Sequence, residues 1–187
     1  MAQQAHVNLD WAQQKNTQNI IPFGAGIISP EVNDDHMVTF RVKAPEANSV
    51  MLSGSVLLEL KAGKPIPFIK GPEGIWTLTV GPMTPEIYYY KLIIDGVIVD
   101  DPANTLTGFA GQPGFSILVV HGDGPAFYDA KDVPHGTVTR HIYYSPVTKG
   151  EREMYVYIPP DYNSDKKYPV LYLLGGSGEI ASTWSLF

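Results

Sequence analysis

Between residues 36 and 120 the chain is broken into short apolar runs, each closed within a few residues by Gly, Pro or Asn. That punctuation leaves no room for an ordinary helix of three or four turns, whereas a strand needs only about five residues. Val38, Phe40 and Val42 alternate with Thr39, Arg41 and Lys43. A period of two sets one strand face on a core and the other in water. Similar runs follow at Ser49 to Leu52, Val56 to Leu60, Ile66 to Ile69, Ile75 to Val80, Ile87 to Ile94, Val97 to Asp100 and Phe115 to Val120. Asp95-Gly96, between Ile94 and Val97, is the clearest hairpin signal, because a two-residue turn needs positive φ and Gly supplies it without steric cost. With 18 Gly and 16 Pro in 187 residues, many turns are expected. About eight short strands in roughly 100 residues predict an all-β immunoglobulin-like sandwich.

This pattern divides the chain. Residues 1–20 hold five Gln and three Asn with little periodicity and read as a flexible arm. The sandwich spans 21–121, and a turn-rich linker covers 122–136, opening with Gly122-Asp123-Gly124-Pro125. From 137 the character changes. Strands are expected at Thr139 to Ser145 and Glu153 to Ile158, followed by Tyr168-Pro169-Val170-Leu171-Tyr172-Leu173-Leu174, which is apolar at nearly every position. Such a run fits a strand covered on both faces, as in a parallel α/β sheet. Three strands in about 50 residues bury too little surface to stand alone, so 137–187 reads as the truncated start of an α/β domain. The 170–174 strand would then expose an apolar edge and invite association.

Charge and composition exclude several functions. A net charge of -6 and the lack of a basic run leave no electrostatic footprint for nucleic acid. No apolar stretch approaches the roughly 20 residues that span a bilayer as a helix. Zero Cys removes disulfides, thiolate nucleophiles and Cys-based zinc sites. The five His show no helical metal-pair spacing, and no metal or other cofactor is expected. Asp100-Asp101 before Pro102 reads as a turn with side-chain-to-backbone bonding, since adjacent carboxylates point apart.

The chain resembles the bacterial carbohydrate esterases of the feruloyl and acetylxylan type, in which an early-set, glycogen-binding-like sandwich precedes an α/β-hydrolase domain. In the sandwich, Val38-Thr39-Phe40-Arg41-Val42, Gly74-Ile75-Trp76, Tyr88-Tyr89-Tyr90, Asp95-Gly96-Val97 and Asp101-Pro102-Ala103-Asn104 carry the resemblance. Beyond it, Pro134-His135-Gly136-Thr137-Val138, Met154 to Tyr162 and Tyr168 to Leu174 do so. It implies hydrolysis of feruloyl or acetyl esters on xylan-type polysaccharide by a Ser-His-Asp mechanism, in a secreted or periplasmic enzyme. The implied partners are arabinoxylan-type polysaccharide and either the remaining esterase domain or a second chain covering 170–174. Enterochelin-type siderophore esterases share a similar arrangement, but an anionic iron-catecholate calls for cationic groups, and only Arg41, Arg140 and Arg152 are present. A non-catalytic glycan-binding module is the third reading.

Site residues follow from chemistry. Hydrolases of this fold place the nucleophile in Gly-x-Ser-x-Gly, with the acid and His later in the chain. Gly175-Gly176-Ser177-Gly178-Glu179 lacks the final Gly, and no Asp or His follows Ser177, so no catalytic residue is assigned within these 187. Ser177 reads as a loop residue. Relatives carry His-Gly after the apolar strand where this chain has Gly175-Gly176, which removes that His from the oxyanion loop. The backbone amides of Gly176 and Ser177 remain candidates for the oxyanion hole, against a plain structural turn. Tyr89 is the carbohydrate-binding candidate: it faces opposite to Tyr88 and Tyr90, and the alternative is that all three fill the core or an interface.

Overall fold

The computed structural model describes residues 26–109, 112–125, 131–176 and 179–185. The expected arm, 1–20, lies outside them. The chain divides into two compact units, Met1–Phe109 with Pro113–Phe127, and Ala110–Gln112 with Tyr128–Phe187.

The first unit is a sandwich of two antiparallel sheets. One is built from β1 (Glu31–Val32), β2 (Val38–Lys43), β6 (Ile75–Val80) and β5 (Ile69–Lys70), in that order. The other runs β4 (Ile66–Pro67), β3 (Val50–Gly54), β7 (Glu86–Ile94), β10 (Gln112–Val120) and β9 (Thr107–Phe109), with β8 (Val97–Val99) also pairing β7. The period of two read in β2 puts Val38, Phe40 and Val42 into the core, where they meet Leu52, Tyr88, Tyr90, Leu92 and Leu118 of the other sheet. Phe40 and Tyr90 make an edge-on contact at 4.9 Å between ring centroids. Trp76 is buried with them, its indole N–H donating to the Ala44 carbonyl at 2.9 Å. The Asp95-Gly96 turn joins β7 to β8, with φ of 47° and 84° at the two residues.

Two expected strands are corrected. Val56 to Leu60 is not a strand: Val56–Glu59 forms the short helix α1. Gly54, at φ 115°, lies so close to the Tyr89 carbonyl oxygen that a Cβ there would clash, and the chain turns out of β3 at that point. The next residues then use a helical spacing, with Val56 fully buried, Leu57 and Leu60 packed against the core and Leu58 in solvent. Glu59 anchors the helix by accepting from the Thr84 N–H at 3.1 Å and the Thr84 hydroxyl at 2.5 Å. The run Ile66 to Ile69 is likewise divided. Its first half pairs β3 and its second half pairs β6, with Phe68 buried between the sheets.

The second unit holds one hairpin, β11 (Thr137–Ser145) and β12 (Gly150–Ile158), in unbroken register from Thr137 opposite Ile158 to Ser145 opposite Gly150. The apolar run 168–174 forms neither strand nor helix. A strand exists only with a ladder partner, and no strand pairs with this segment among the described residues, so Leu171, Tyr172 and Leu174 stand 80% or more exposed.

Candidate functional site

The alternation through Tyr88-Tyr89-Tyr90 resolves in favour of one outward ring. Tyr88 and Tyr90 are buried, while Tyr89 is half-buried on the outer face of β7. Its peptide is fixed from β3: the Tyr89 N–H donates to the Ser55 hydroxyl at 2.9 Å, and the Tyr89 carbonyl accepts from the Ser55 N–H at 2.8 Å. Lys91, two residues on and on the same face, sets its ammonium 5.2 Å from the Phe115 ring. The sequence reading missed Lys91 and Phe115. Only the β7–β10 register, with Tyr89 opposite Ile117 and Tyr90 opposite Ser116, brings β10 beside Tyr89.

This outer face differs from that of the other sheet. Met51, Tyr89, Ile93, Ile98, Phe115 and Val119 give it an apolar character around the single Lys91. The other sheet presents Arg41, Lys43, Thr77 and Thr79, with Arg41 paired to Glu31 at 2.7 Å, while Thr39 on the same face is buried with its hydroxyl 2.9 Å from that of Thr79. A solvated sheet face is normally polar, and this one departs from that rule, with Ile117, opposite Tyr89, already buried on it.

Asp101 behaves as a structural residue. Its carboxylate is buried and accepts from the Ser29 hydroxyl at 2.6 Å, the Tyr90 hydroxyl at 2.8 Å and the Ala103 N–H at 2.9 Å. The last bond is the turn expected from Asp-Pro. Asn104 completes the cluster, donating to the Tyr90 oxygen at 3.0 Å and the Ile117 carbonyl at 2.7 Å. Burial raises the carboxyl above the ordinary Asp value, opposed by the Ser29, Ala103 and Tyr90 hydrogen bonds. Tyr90 is pushed well above the usual phenol value, first by burial and then by the Asp101 charge. No catalytic proton transfer suits a group sealed inside a core.

A shallow cleft of about 220 Å³ at one end of the sandwich is lined by Asn33, Asp34, His36, His121 and Asp123. Among the described residues, no group of three or more His, Asp or Glu is arranged to hold a metal ion. His135 has its Nε2 3.0 Å from the Lys131 carbonyl.

Of the two oxyanion candidates, Ser177 lies outside the described residues. Gly176 is exposed, and its N–H donates to Glu179 Oε2 at 2.6 Å, while the Glu179 N–H returns a bond to the Gly176 carbonyl at 3.2 Å. A Cβ on Gly175 would stand 2.7 Å from the same Oε2 and 2.9 Å from the Glu179 Cβ, so a side chain there would displace the carboxylate.

No protein-family model matches the chain. In an alignment of 163 positions that covers 83% of the chain, it is 34% identical to an endo-1,4-β-xylanase/feruloyl esterase of Xylanibacter ruminicola. The chain is similar to part of a feruloyl esterase. It spans 22% of that relative's length. Among solved structures, the enterobactin esterase of Shigella flexneri, determined with 2,3-dihydroxy-N-benzoyl-glycine, is 16% identical and aligns 64% of this chain with 39% of its own at a TM-score of 0.49. The ferric enterobactin esterase of Salmonella typhimurium is 14% identical, aligning 77% of this chain and 45% of its own at 0.45.

Proposed function

We propose that these residues form part of a secreted or periplasmic serine esterase that hydrolyses feruloyl or acetyl esters on xylan-type plant polysaccharide. The similarity to the xylanase/feruloyl esterase carries this reading: a match over 83% of the chain is too long to lie within either unit alone. In this reading the nucleophile, acid and His come from residues outside these 187, and the sandwich with the β11–β12 hairpin forms the lead-in to the hydrolase sheet. In this reading the exposed 170–174 segment becomes a strand only once it is covered, by the remainder of the esterase domain or by a second chain.

The polypeptide alone is expected to be silent toward methyl ferulate and 4-nitrophenyl acetate. Turnover that disappears on Ser177→Ala would instead make Ser177 the nucleophile. For the substrate class, a polypeptide containing this chain followed by Gly-x-Ser-x-Gly, Asp and His should release ferulate or acetate from arabinoxylan. Preferential hydrolysis of a tricatecholate siderophore ester would sink the xylan reading. Against that alternative, Arg41 is already paired with Glu31, and Arg140 with Glu153 at 2.6 Å, so neither offers an unpaired guanidinium to an anionic ligand.

A second reading, glycan binding by the sandwich itself, is favoured by Tyr89, Lys91 and Phe115 gathered on one apolar face. Sugar rings stack on flat side chains, and a half-buried Tyr with a fixed peptide loses little entropy on binding. Affinity electrophoresis through arabinoxylan and through starch tests it. Retardation by one polysaccharide that vanishes in Tyr89→Ala supports it, and unretarded migration in both removes it.

A further inference from the structure

The glycine pair Gly175-Gly176, with Glu179, is the part of the chain that the esterase reading places nearest the chemistry, and its described bonds discriminate between the roles open to it. An oxyanion-hole donor must leave its N–H free for the charge that develops on the substrate oxygen. The Gly176 N–H is engaged by Glu179 Oε2 at 2.6 Å, a charge-assisted bond of the stronger kind. The reciprocal bond from the Glu179 N–H to the Gly176 carbonyl closes the turn from the other side. The two glycines are also not equivalent. A Cβ at Gly175 would collide with the Glu179 side chain, whereas one at Gly176 would meet nothing closer than 3.9 Å. The space at Gly175 is therefore taken up by the Glu179 carboxylate.

We infer that Glu179 is a positioning residue which fixes the glycine turn through the Gly176 amide, and that Gly176 supplies this anchor and not an oxyanion donor. A carboxylate on a true donor would compete with the oxyanion and repel it, so one amide cannot serve both tasks. The inference rests on the esterase reading for its catalytic meaning, but the anchor itself is a property of this chain.

The test has two arms that fail separately. In the 187-residue chain, amide hydrogen exchange at Gly176 is followed by NMR in wild type, Glu179→Gln and Glu179→Ala. Exchange should quicken roughly tenfold or more in the alanine variant and be largely restored in the glutamine variant, which keeps an acceptor oxygen. Unchanged sandwich resonances show that the fold is intact. A Gly176 amide indifferent to both substitutions overturns the inference. In an ester-hydrolysing polypeptide containing this chain, Glu179→Ala should lower kcat roughly 10- to 100-fold with KM little changed, because the Ser177 amide, the remaining oxyanion candidate, directly follows the residue that Glu179 anchors. Glu179→Gln should retain most of the rate. A rise in kcat on removing the carboxylate would show that it competes for a donor, and would overturn the inference. If that polypeptide hydrolyses no ester at all, the esterase reading falls while the exchange measurement still decides the anchor.

Discussion

β7 and β11 are both nine-residue strands with alternating side chains and continuous antiparallel partners. They differ in what covers them. β7 has a second sheet against its inner face, and Tyr88, Tyr90 and Leu92 are buried there. Among the described residues β11 has only β12, and Val138, Ile142, Tyr143 and Tyr144 are each more than 45% exposed. A backbone ladder brings apolar side chains into line, but their removal from water needs a facing layer, and that removal drives folding. A two-stranded hairpin without such a layer is marginal in water.

Four substitutions test this contrast, beginning with the strongest. Phe40→Ala, at the contact between the sheets, should destabilise the sandwich by about 3–5 kcal/mol, read from urea unfolding followed by the fluorescence of Trp76 in a Trp11→Phe/Trp184→Phe background. A loss below about 1 kcal/mol would mean that the two sheets do not depend on one another. Gly54→Ala should come next, at about 2 kcal/mol or more, because the added methyl meets the Tyr89 carbonyl at a φ that L-residues avoid.

Asp101→Asn should cost about 1–3 kcal/mol by mispairing the Ser29 and Tyr90 hydroxyls, and it carries a pH signature. The folded-state pKa of Asp101 lies above the unfolded one, so the native state holds this proton more tightly. Its stabilisation is therefore complete below the unfolded Asp value of about 3.9 and is lost as pH rises through the folded value. The Tm advantage of wild type over Asp101→Asn should narrow from pH 3.5 upward, and an advantage that widens contradicts the assignment. Smallest of all, Ile142→Ala on the uncovered hairpin should change stability by no more than about 0.5 kcal/mol. A cost approaching that of Phe40→Ala would reveal a facing layer over β11.

The sequence made the covered region legible because each strand carried its own instructions. The 38–42 alternation and the Asp95-Gly96 turn are local signals with local physical causes. Long-range features could not be read in the same way. The Asp101 cluster joins Ser29, Tyr90 and Asn104 across separations of up to 72 residues, and no spacing rule links them. Lys91 and Phe115 became neighbours of Tyr89 through strand register alone. The helix at Val56–Glu59 escaped because an apolar run that short fits either period, and the carbonyl beside Gly54 decided between them. The strand expected at 168–174 was read from composition, which describes the cover a segment needs and not whether the cover is there.

β7 has one further consequence, for how chains of this kind can change over generations. Its Ile94 end is hydrogen-bonded to β3 on one edge and β8 on the other, while its Glu86 end pairs with β10. Inserting or deleting a single residue within it would break register with three strands at once and turn Tyr88 and Tyr90 out of the core. Length variation should therefore be absent from 86–94 and concentrate in turns such as 33–37, which are held by the short pairing of β1 with β2 and by the bond from the Met83 N–H to the His36 carbonyl, and by no nine-residue ladder.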